Sequence, residues 1–386
     1  MYACKYVWYN SDARLHQHQD RLLTDAPPPP TALRSCGGVA HICNSGIVSR
    51  TKSINGKQRF YYTFGLLGQL YLTFLPYGII FLPRQIDIKM IEQATAAETE
   101  ARLNERRKFL AEKCAEEGLD RPGNDSLHKP NAWEFLVNRE YHLIWCNVFK
   151  AASTSWMYNF NLLAGYSPQF LKASKAVPVS LARQKYPRHT AEELAKFLND
   201  SISFLIVRHP FERLLSAYRD KLEHSLPHTF HSNLGAHIVW HYRLKNTKTN
   251  GKHGPRYPFF EEFVRWLLCQ WKAGNELDMH WTPIVNFCTP CQVRFDIIAK
   301  FETLREDQDF LIKQAHVGHI IKPEWKNPTR GVQTKDVVKN YFAQLSKTQI
   351  NDLYEMFRYD FILFDYSPEE YIPLGKDNPI TLICKN

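Results

Sequence analysis

The chain has 386 residues, with 49 Lys and Arg against 39 Asp and Glu and a formal net charge of +10. A hydrophobic share of 44% and a charged share of 23% are globular values; they exclude collagen-like, coiled-coil and wholly disordered chains, and a multi-span channel. The positive balance favours an anionic partner such as nucleotide, nucleic acid, acidic lipid or acidic glycan, and nine cysteines are too few for a disulfide-scaffolded miniprotein of this length.

Residues 1–59 carry little apolar periodicity and include the run Pro27 to Pro30, so they read as a disordered, cytoplasmic arm. Phe60 to Leu82 is a 23-residue stretch without a charge. As a helix it is long enough for the ~30 Å hydrocarbon core of a bilayer. Arg50, Lys52, Lys57 and Arg59 precede it, while Arg84, Asp87 and Lys89 follow. The positive excess on the N-terminal side predicts a signal anchor with a cytoplasmic N-terminus and a lumenal C-terminal portion. Pro76 and Gly78 leave a second reading open, a buried hairpin. Residues 88–117 lack Gly and Pro and are rich in Ala, Glu, Arg and Lys. They predict a polar helix, and 83–130 as a whole reads as a stem helix and linker. From residue 131 to 386, strand-like runs alternate with helical periodicity, which predicts one α/β domain.

Two segments of that domain have a strand–loop–helix pattern. In the first, Tyr141 to Val148 is an apolar run of strand formers, followed by Lys150, Ala151, Ala152, Ser153, Thr154 and Ser155. Trp156, Met157, Phe160 and Leu163 then recur at helical spacing. A small-residue loop between strand and helix presents backbone N–H groups to an anion, with Lys150 as a point charge at its mouth. An ordinary helix N-cap beside a surface lysine fits the same residues. No Walker A pattern occurs, which disfavours a nucleotide phosphotransferase of that type. In the second segment, Ile202 to Val207 predicts a buried strand ending at Arg208, where open α/β sheets bind ligands. Pro210 suits a first helical turn. Phe211, Leu214, Leu215, Tyr218 and Leu222 form one apolar stripe; His209, Arg213, Ser216 and Asp220 fall on the opposite face. That face is either solvated or, through Arg208 and Ser216, grips an anion.

These two segments, K-A-A-S-T-S-W at 150–156 and V-R-H-P-F-E-R-L-L-S-A-Y-R-D-K at 207–221, resemble the nucleotide-binding segments of Golgi carbohydrate sulfotransferases. Three further stretches resemble the branch of chondroitin and dermatan 4-O- and GalNAc-4-O-sulfotransferases: H-W-T-P-I-V-N-F-C-T-P-C at 280–291, F-D-I-I-A-K-F-E-T-L-R-E-D at 295–307 and L-Y-E-M-F-R-Y-D-F-I-L-F-D-Y at 353–366. The five stretches keep the family's order over roughly 140–370. The resemblance implies a P-loop-like sulfotransferase fold, with a central, mostly parallel sheet flanked by helices. It implies the donor 3′-phosphoadenosine 5′-phosphosulfate (PAPS), with the first segment on the 5′-phosphosulfate and the second on the 3′-phosphate. It implies a glycan or glycosaminoglycan acceptor, a single-pass Golgi membrane location with the catalytic domain lumenal, and no metal. The family usually has Pro where Phe149 stands and an acid where His209 stands.

The cofactor-binding expectation is therefore Lys150, Ala151, Ala152, Ser153, Thr154, Ser155, Trp156, Arg208 and Ser216. Trp156 is open between contacting adenine and packing in the core. Lys150 is expected to neutralise the leaving oxygen. His280, Glu302 and His209 are candidates for the base, with His280 favoured. The stretch 208–257 holds nine Lys and Arg against three Asp and Glu. Arg243, Lys245, Lys248, Lys252 and Arg256 read either as a loop for a polyanionic glycan or as ordinary solvated charge. A nucleic-acid partner lacks a motif. Cys114, Cys146, Cys269, Cys288, Cys291 and Cys384 are the candidates for structural disulfides, without assigned pairs. Asn124 and Asn199 begin N-glycosylation sequons. The rivals are a uronyl 2-O-sulfotransferase, against which C-x-P-C and F-E-T-L argue, and a catalytically inactive glycan- or nucleotide-binding relative. Nothing in the sequence assigns an oligomeric state.

Overall fold

The computed structural model describes residues 49–54, 57–62, 85–243, 254–322, 333–377 and 384. Two units are distinct, Met1–Leu82 and Pro83–Asn386. In the first, β1 (Ser49–Ile54) pairs antiparallel with β2 (Lys57–Tyr62), with Ser49 opposite Tyr62 and Ile54 opposite Lys57. Asn55-Gly56 separates the two runs in sequence, a pair that hairpins favour. The arm is thus not structureless to its end, and residues 60–62 of the expected span lie in a strand. The rest of that span, 63–82, lies outside the described residues. No helix among the described residues is long and apolar enough to cross a membrane.

The second unit opens with α1 (Gln85–Glu116), then β3 (Phe135–Asn138), β4 (Leu143–Cys146) and α2 (Ser153–Leu163). Short helices α3 (Pro168–Ala173), α4 (Pro178–Lys185) and α5 (Ala191–Phe197) lead to β5 (Ile202–Val207) and α6 (Pro210–Tyr218). After α7 (Phe230–Tyr242), α8 (Phe260–Lys272) and α9 (Ile284–Cys288) come β6 (Ile297–Lys300) and α10 (Leu304–Gln314). Helices α11 (Thr334–Phe342), α12 (Lys347–Met356) and α13 (Arg358–Leu363) complete it.

The sheet order is β3-β4-β5-β6, with β3 antiparallel to β4 and the other pairs parallel. This is the expected α/β class. The continuous apolar sequences of β4 and β5 follow from burial: every residue of β4 and all but the first of β5 is buried. Against the sheet packs an aromatic stack of Trp145, Trp156, Phe160 and Phe204. A second core, made by helices, gathers Phe211, Leu215 and Tyr218 of α6 with Phe260, Phe263, Phe342 and Phe361.

Helix α1 has the predicted extent but not the predicted role. Leu103, Leu110 and Cys114 are buried in the sheet core. Arg102 and Arg106 pair with the fully buried Asp307 at 2.8 and 2.6 Å. Removing one partner of such a buried pair costs ~3–5 kcal/mol. The helix packs into the core of the second unit and is not a free stem. All six candidate cysteines pair: Cys114–Cys291, Cys146–Cys288 and Cys269–Cys384. The two cysteines of C-T-P-C reach different partners, which excludes a redox pair within that motif.

Candidate active site

The carboxyl ends of the three parallel strands converge. Beyond β4 the chain reaches Lys150, β5 ends at Arg208, and β6 runs into Phe301 and Glu302. Arg208 Nη1 donates to the Lys150 carbonyl at 3.4 Å, which brings the two predicted segments together. The Arg208 guanidinium lies 4.3 Å from the centre of the Phe301 ring, and Nη2 donates to Glu212 Oε2 at 3.0 Å. Its Nε is buried with no hydrogen-bond partner among the described residues. A buried, unsatisfied donor on a charged fork is a fit for an anion.

The loop before α2 is held in an uncommon backbone state. Lys150 and Ala152 have φ of +68° and +58°, the left-handed region, with no glycine to relieve it. Such conformations cost about 1–3 kcal/mol each and concentrate at functional sites. Alternating hands turn successive N–H groups to one side, the anion nest expected around Ala151, Ala152, Ser153 and Thr154. No side chain caps α2, so the plain N-cap reading fails. Ser155, buried in the first turn of α2, has a partner of its own.

Lys150 Nζ donates to Asp220 Oδ2 at 3.1 Å. Burial lowers the lysine's pKa from its ordinary value, while Asp220 raises it. Asp220 and Lys221 lie on the π-helical turn Arg219–Glu223 that continues α6. Lys221 Nζ is 3.2 Å from the same Asp220 oxygen. Burial pushes the Asp220 carboxyl up, but Lys150 and Lys221 outweigh it, and the net shift is downward. Ser216 is one turn beyond Glu212, on the partly exposed stripe of α6.

The base candidates separate. His209 is buried among Phe211, Phe361, Tyr366 and Tyr371, and its Nε2 lies 3.1 Å from the Ser367 carbonyl. Glu302 accepts from the His209 N–H at 3.0 Å and from the Tyr366 hydroxyl at 2.8 Å, so both its oxygens are engaged. These two residues brace the loop that carries Arg208. His280 differs: its Nδ1 lies 2.6 Å from Asp278 Oδ1, and Asp278 Oδ2 lies 3.1 Å from His231 Nε2. Burial lowers the His280 pKa, with Asp278 opposing and Lys221 adding to the fall. Burial raises the Asp278 carboxyl, but hydrogen bonds from His231 and His280 carry it well below the ordinary carboxylate range. An ionised Asp278 fixes the proton on His280 Nδ1 and leaves Nε2 as the basic nitrogen. His231, Asp278 and His280 also bring three groups of metal-ligand type within 4.8 Å of one another.

Phe149 explains its own departure from proline. Its ring packs 4.9 Å from His280 and 5.9 Å from Phe287, joining the Lys150 loop to the His280 segment. Arg213, expected on the polar face, is fully buried instead. It donates to the carbonyls of His280 and Thr282 and lies 4.0 Å from Asp360. Trp156 is also a correction: it is 0% exposed and packs 4.6 Å from Phe204, so it belongs to the core and cannot stack on adenine. Of the expected basic loop, Arg243 is spent on Glu262 and the carbonyls of Pro255 and Tyr257. Lys245, Lys248 and Lys252 lie outside the described residues. Asp278, His231, Lys221 and Arg213 were missed; only the D-x-H spacing of Asp278 and His280 offered a signal.

The model of the sulfotransferase family matches residues 133–367, which contain every one of these groups. The chain belongs to that family. The sulfotransferase is 33% identical over 252 residues to carbohydrate sulfotransferase 11 of Rattus norvegicus, covering 64% of this chain and 70% of the relative. It is 27% identical over 281 residues to carbohydrate sulfotransferase 10 of Homo sapiens, covering 69% and 76%. No solved structure matches it. As a sulfotransferase it carries out sulfuryl transfer, and its matched segment includes the nest, the cation cluster and the imidazole pair alike.

Proposed function

We propose that the enzyme transfers a sulfuryl group from PAPS to a hydroxyl of a glycan, GalNAc in chondroitin or dermatan or a related carbohydrate. The observation that carries this reading is the contact between Arg208 and the Lys150 carbonyl, which joins the two loops and supports a single anion site shared between them. When bound, the donor supplies the sulfuryl group and leaves as 3′,5′-ADP.

In this reading the N–H groups and hydroxyls of 151–155 hold the 5′ end, and Arg208 with Ser216 holds the 3′-phosphate. Three cations, Lys150, Arg208 and Lys221, face two acids, Asp220 and Glu212, so net positive charge remains for the nucleotide. Lys150 releases Asp220 and places its ammonium against the charge growing on the leaving oxygen. Lys221 takes over Asp220. His280 accepts the acceptor hydroxyl's proton at Nε2, while Asp278 stabilises the imidazolium that results. The names of the matched relatives support a carbohydrate acceptor.

Three disulfides and two exposed sequon asparagines, Asn124 and Asn199, support a lumenal location, and the Golgi membrane is the compartment proposed. The test is radiosulfate transfer from PAPS to desulfated glycosaminoglycans, paired with thermal unfolding in 3′,5′-ADP and in ATP. Stabilisation by 3′,5′-ADP and label on GalNAc are expected. Stabilisation by ATP alone would overturn the reading.

A further inference from the structure

Helix α7 begins at the base. His231, in its first turn, lies 3.1 Å from Asp278, and its ring is 5.2 Å from that of His280. From there an exposed stripe runs along the helix through Phe230, Asn233, His237 and Trp240. Phe230 is 67% exposed, and Trp240, at 84%, is the most exposed large hydrophobic side chain among the described residues. Among the described residues no ring or cation stacks on Trp240. By contrast, exposed Trp133 lies under the Arg188 guanidinium at 4.1 Å, and Phe170 stacks on Tyr166.

The composition of this helix is unusual for a surface. FHSNLGAHIVWHY holds no Lys, Arg, Asp or Glu in a chain with 88 of them. A surface helix ordinarily turns charge outward; this one turns out two aromatic rings, an amide and an imidazole. At ~1.5 Å per residue the stripe is about 15 Å long.

We propose that this stripe is the platform for the sugar residues of the acceptor chain that flank the one being sulfated. The inference rests on the sulfotransferase reading above and adds the acceptor's seat. An aromatic face is electron-rich, and the C–H bonds on a pyranose face are polarised positive by their oxygens, so the two stack. Asn233 and His237 supply hydrogen bonds to hydroxyls between the rings. The absence of acids on the stripe spares a glycosaminoglycan's carboxylates from repulsion. A protein partner fits less well: two aromatic side chains offer about 300–500 Å², against the ~800 Å² per partner of a stable interface. Continuity with His231 and His280 sets the platform's direction, so that a hydroxyl at the Phe230 end lies nearest the base.

The full chain and its Trp240→Ala, Phe230→Ala and Trp240→Phe variants are to be tested for binding to desulfated chondroitin, dermatan and heparosan chains without donor. They are also to be tested for transfer to the preferred chain and to its disaccharide. Binding of at least one chain is expected. Trp240→Ala should weaken that binding and raise the KM for the chain about tenfold, with KM for the disaccharide and affinity for 3′,5′-ADP unchanged. Trp240→Phe should restore most of the loss. An equal rise for chain and disaccharide, an unchanged KM, or no binding of any chain by the unmodified protein would overturn the platform. Loss of self-association with an unchanged KM would make the stripe a subunit interface instead. If the chain binds through Trp240 but receives no sulfate, the platform stands and the reaction falls.

Discussion

Arg208 reaches across the ends of β4 and β5 to donate to the backbone carbonyl of Lys150 at 3.4 Å. The residue expected to bind one phosphate thus also holds the loop expected to bind the other. Its Nε remains buried and unsatisfied, so the fork keeps donor capacity for a ligand beyond the bonds it gives Lys150 and Glu212.

Arg208→Ala should therefore lose two effects at once. A hydrogen bond to a charged group contributes ~1.5–3 kcal/mol, so affinity for 3′,5′-ADP should fall roughly ten- to hundredfold. Affinity for 5′-AMP, which has no 3′-phosphate, should fall less. Titration calorimetry with both nucleotides measures the difference. Equal losses would assign Arg208 to loop support alone. Arg208→Lys should not rescue, because an ammonium cannot contact the Lys150 carbonyl and a phosphate through one planar fork.

Lys150→Ala should leave nucleotide affinity within a fewfold of the original and lower kcat by ~10²–10³, as for a lost oxyanion donor. The alkaline side of the rate profile follows from burial, which lowers the Lys150 pKa below the ordinary lysine value of 10.5. The ammonium is present below its folded pKa and lost as pH rises through it, so activity should decline before pH 10.5. A profile flat to that pH would refute Lys150 as the charge that meets the leaving group.

On the acid side the sign is set by His280. A base must be neutral, and burial holds its pKa below 6.5, so kcat/KM should be full near neutrality and fall as pH drops through a value below 6.5. Asp278 opposes that depression. Asp278→Asn should move the acid limb to still lower pH while reducing kcat, because the imidazolium loses its partner. His280→Gln should abolish the limb. An acid limb that persists in His280→Gln would give the base role to another group.

The sequence carried the strand–loop–helix pattern at the Lys150 and Arg208 segments because strand burial and helix periodicity are local. It did not carry the contacts made by distant segments. Arg213 stands on the polar side of a helical wheel, yet residues 280–282 and Asp360 arrive from elsewhere in the chain and bury it. The polar composition of α1 hides three core residues and two arginines aimed at Asp307. Asp278 is two residues from His280, but only the turn that folds its carboxylate back onto Nδ1 gives that spacing meaning.

Trp156 is the sharpest of these cases, since the motif and the fold assign it different work. As a core residue, Trp156→Ala should cost about 3–5 kcal/mol of stability and leave the 3′,5′-ADP affinity of the folded fraction within twofold. Chemical unfolding with nucleotide titration separates the two. A tenfold loss of affinity at unchanged stability would restore the adenine contact.

The Cys146–Cys288 disulfide joins the last residue of β4, four before Lys150, to the last residue of α9, eight after His280. It therefore tethers the strand before the Lys150 loop to the segment that carries His280. The bridge spans 142 residues of sequence, long enough for its loss to cost ~2–5 kcal/mol. Cys146→Ala with Cys288→Ala should lower the unfolding midpoint on the order of 10 °C. Below that midpoint, kcat should fall while 3′,5′-ADP affinity holds, because Arg208 still fastens the loop to β5, whereas the base loses its covalent reference to β4. The Cys269–Cys384 bridge pairs α8 with the chain's C-terminal segment and touches neither loop. Cys269→Ala with Cys384→Ala should lower stability without changing kcat, and a kcat loss equal to that of the first pair would show that the effect is loosening of the fold and not displacement of His280.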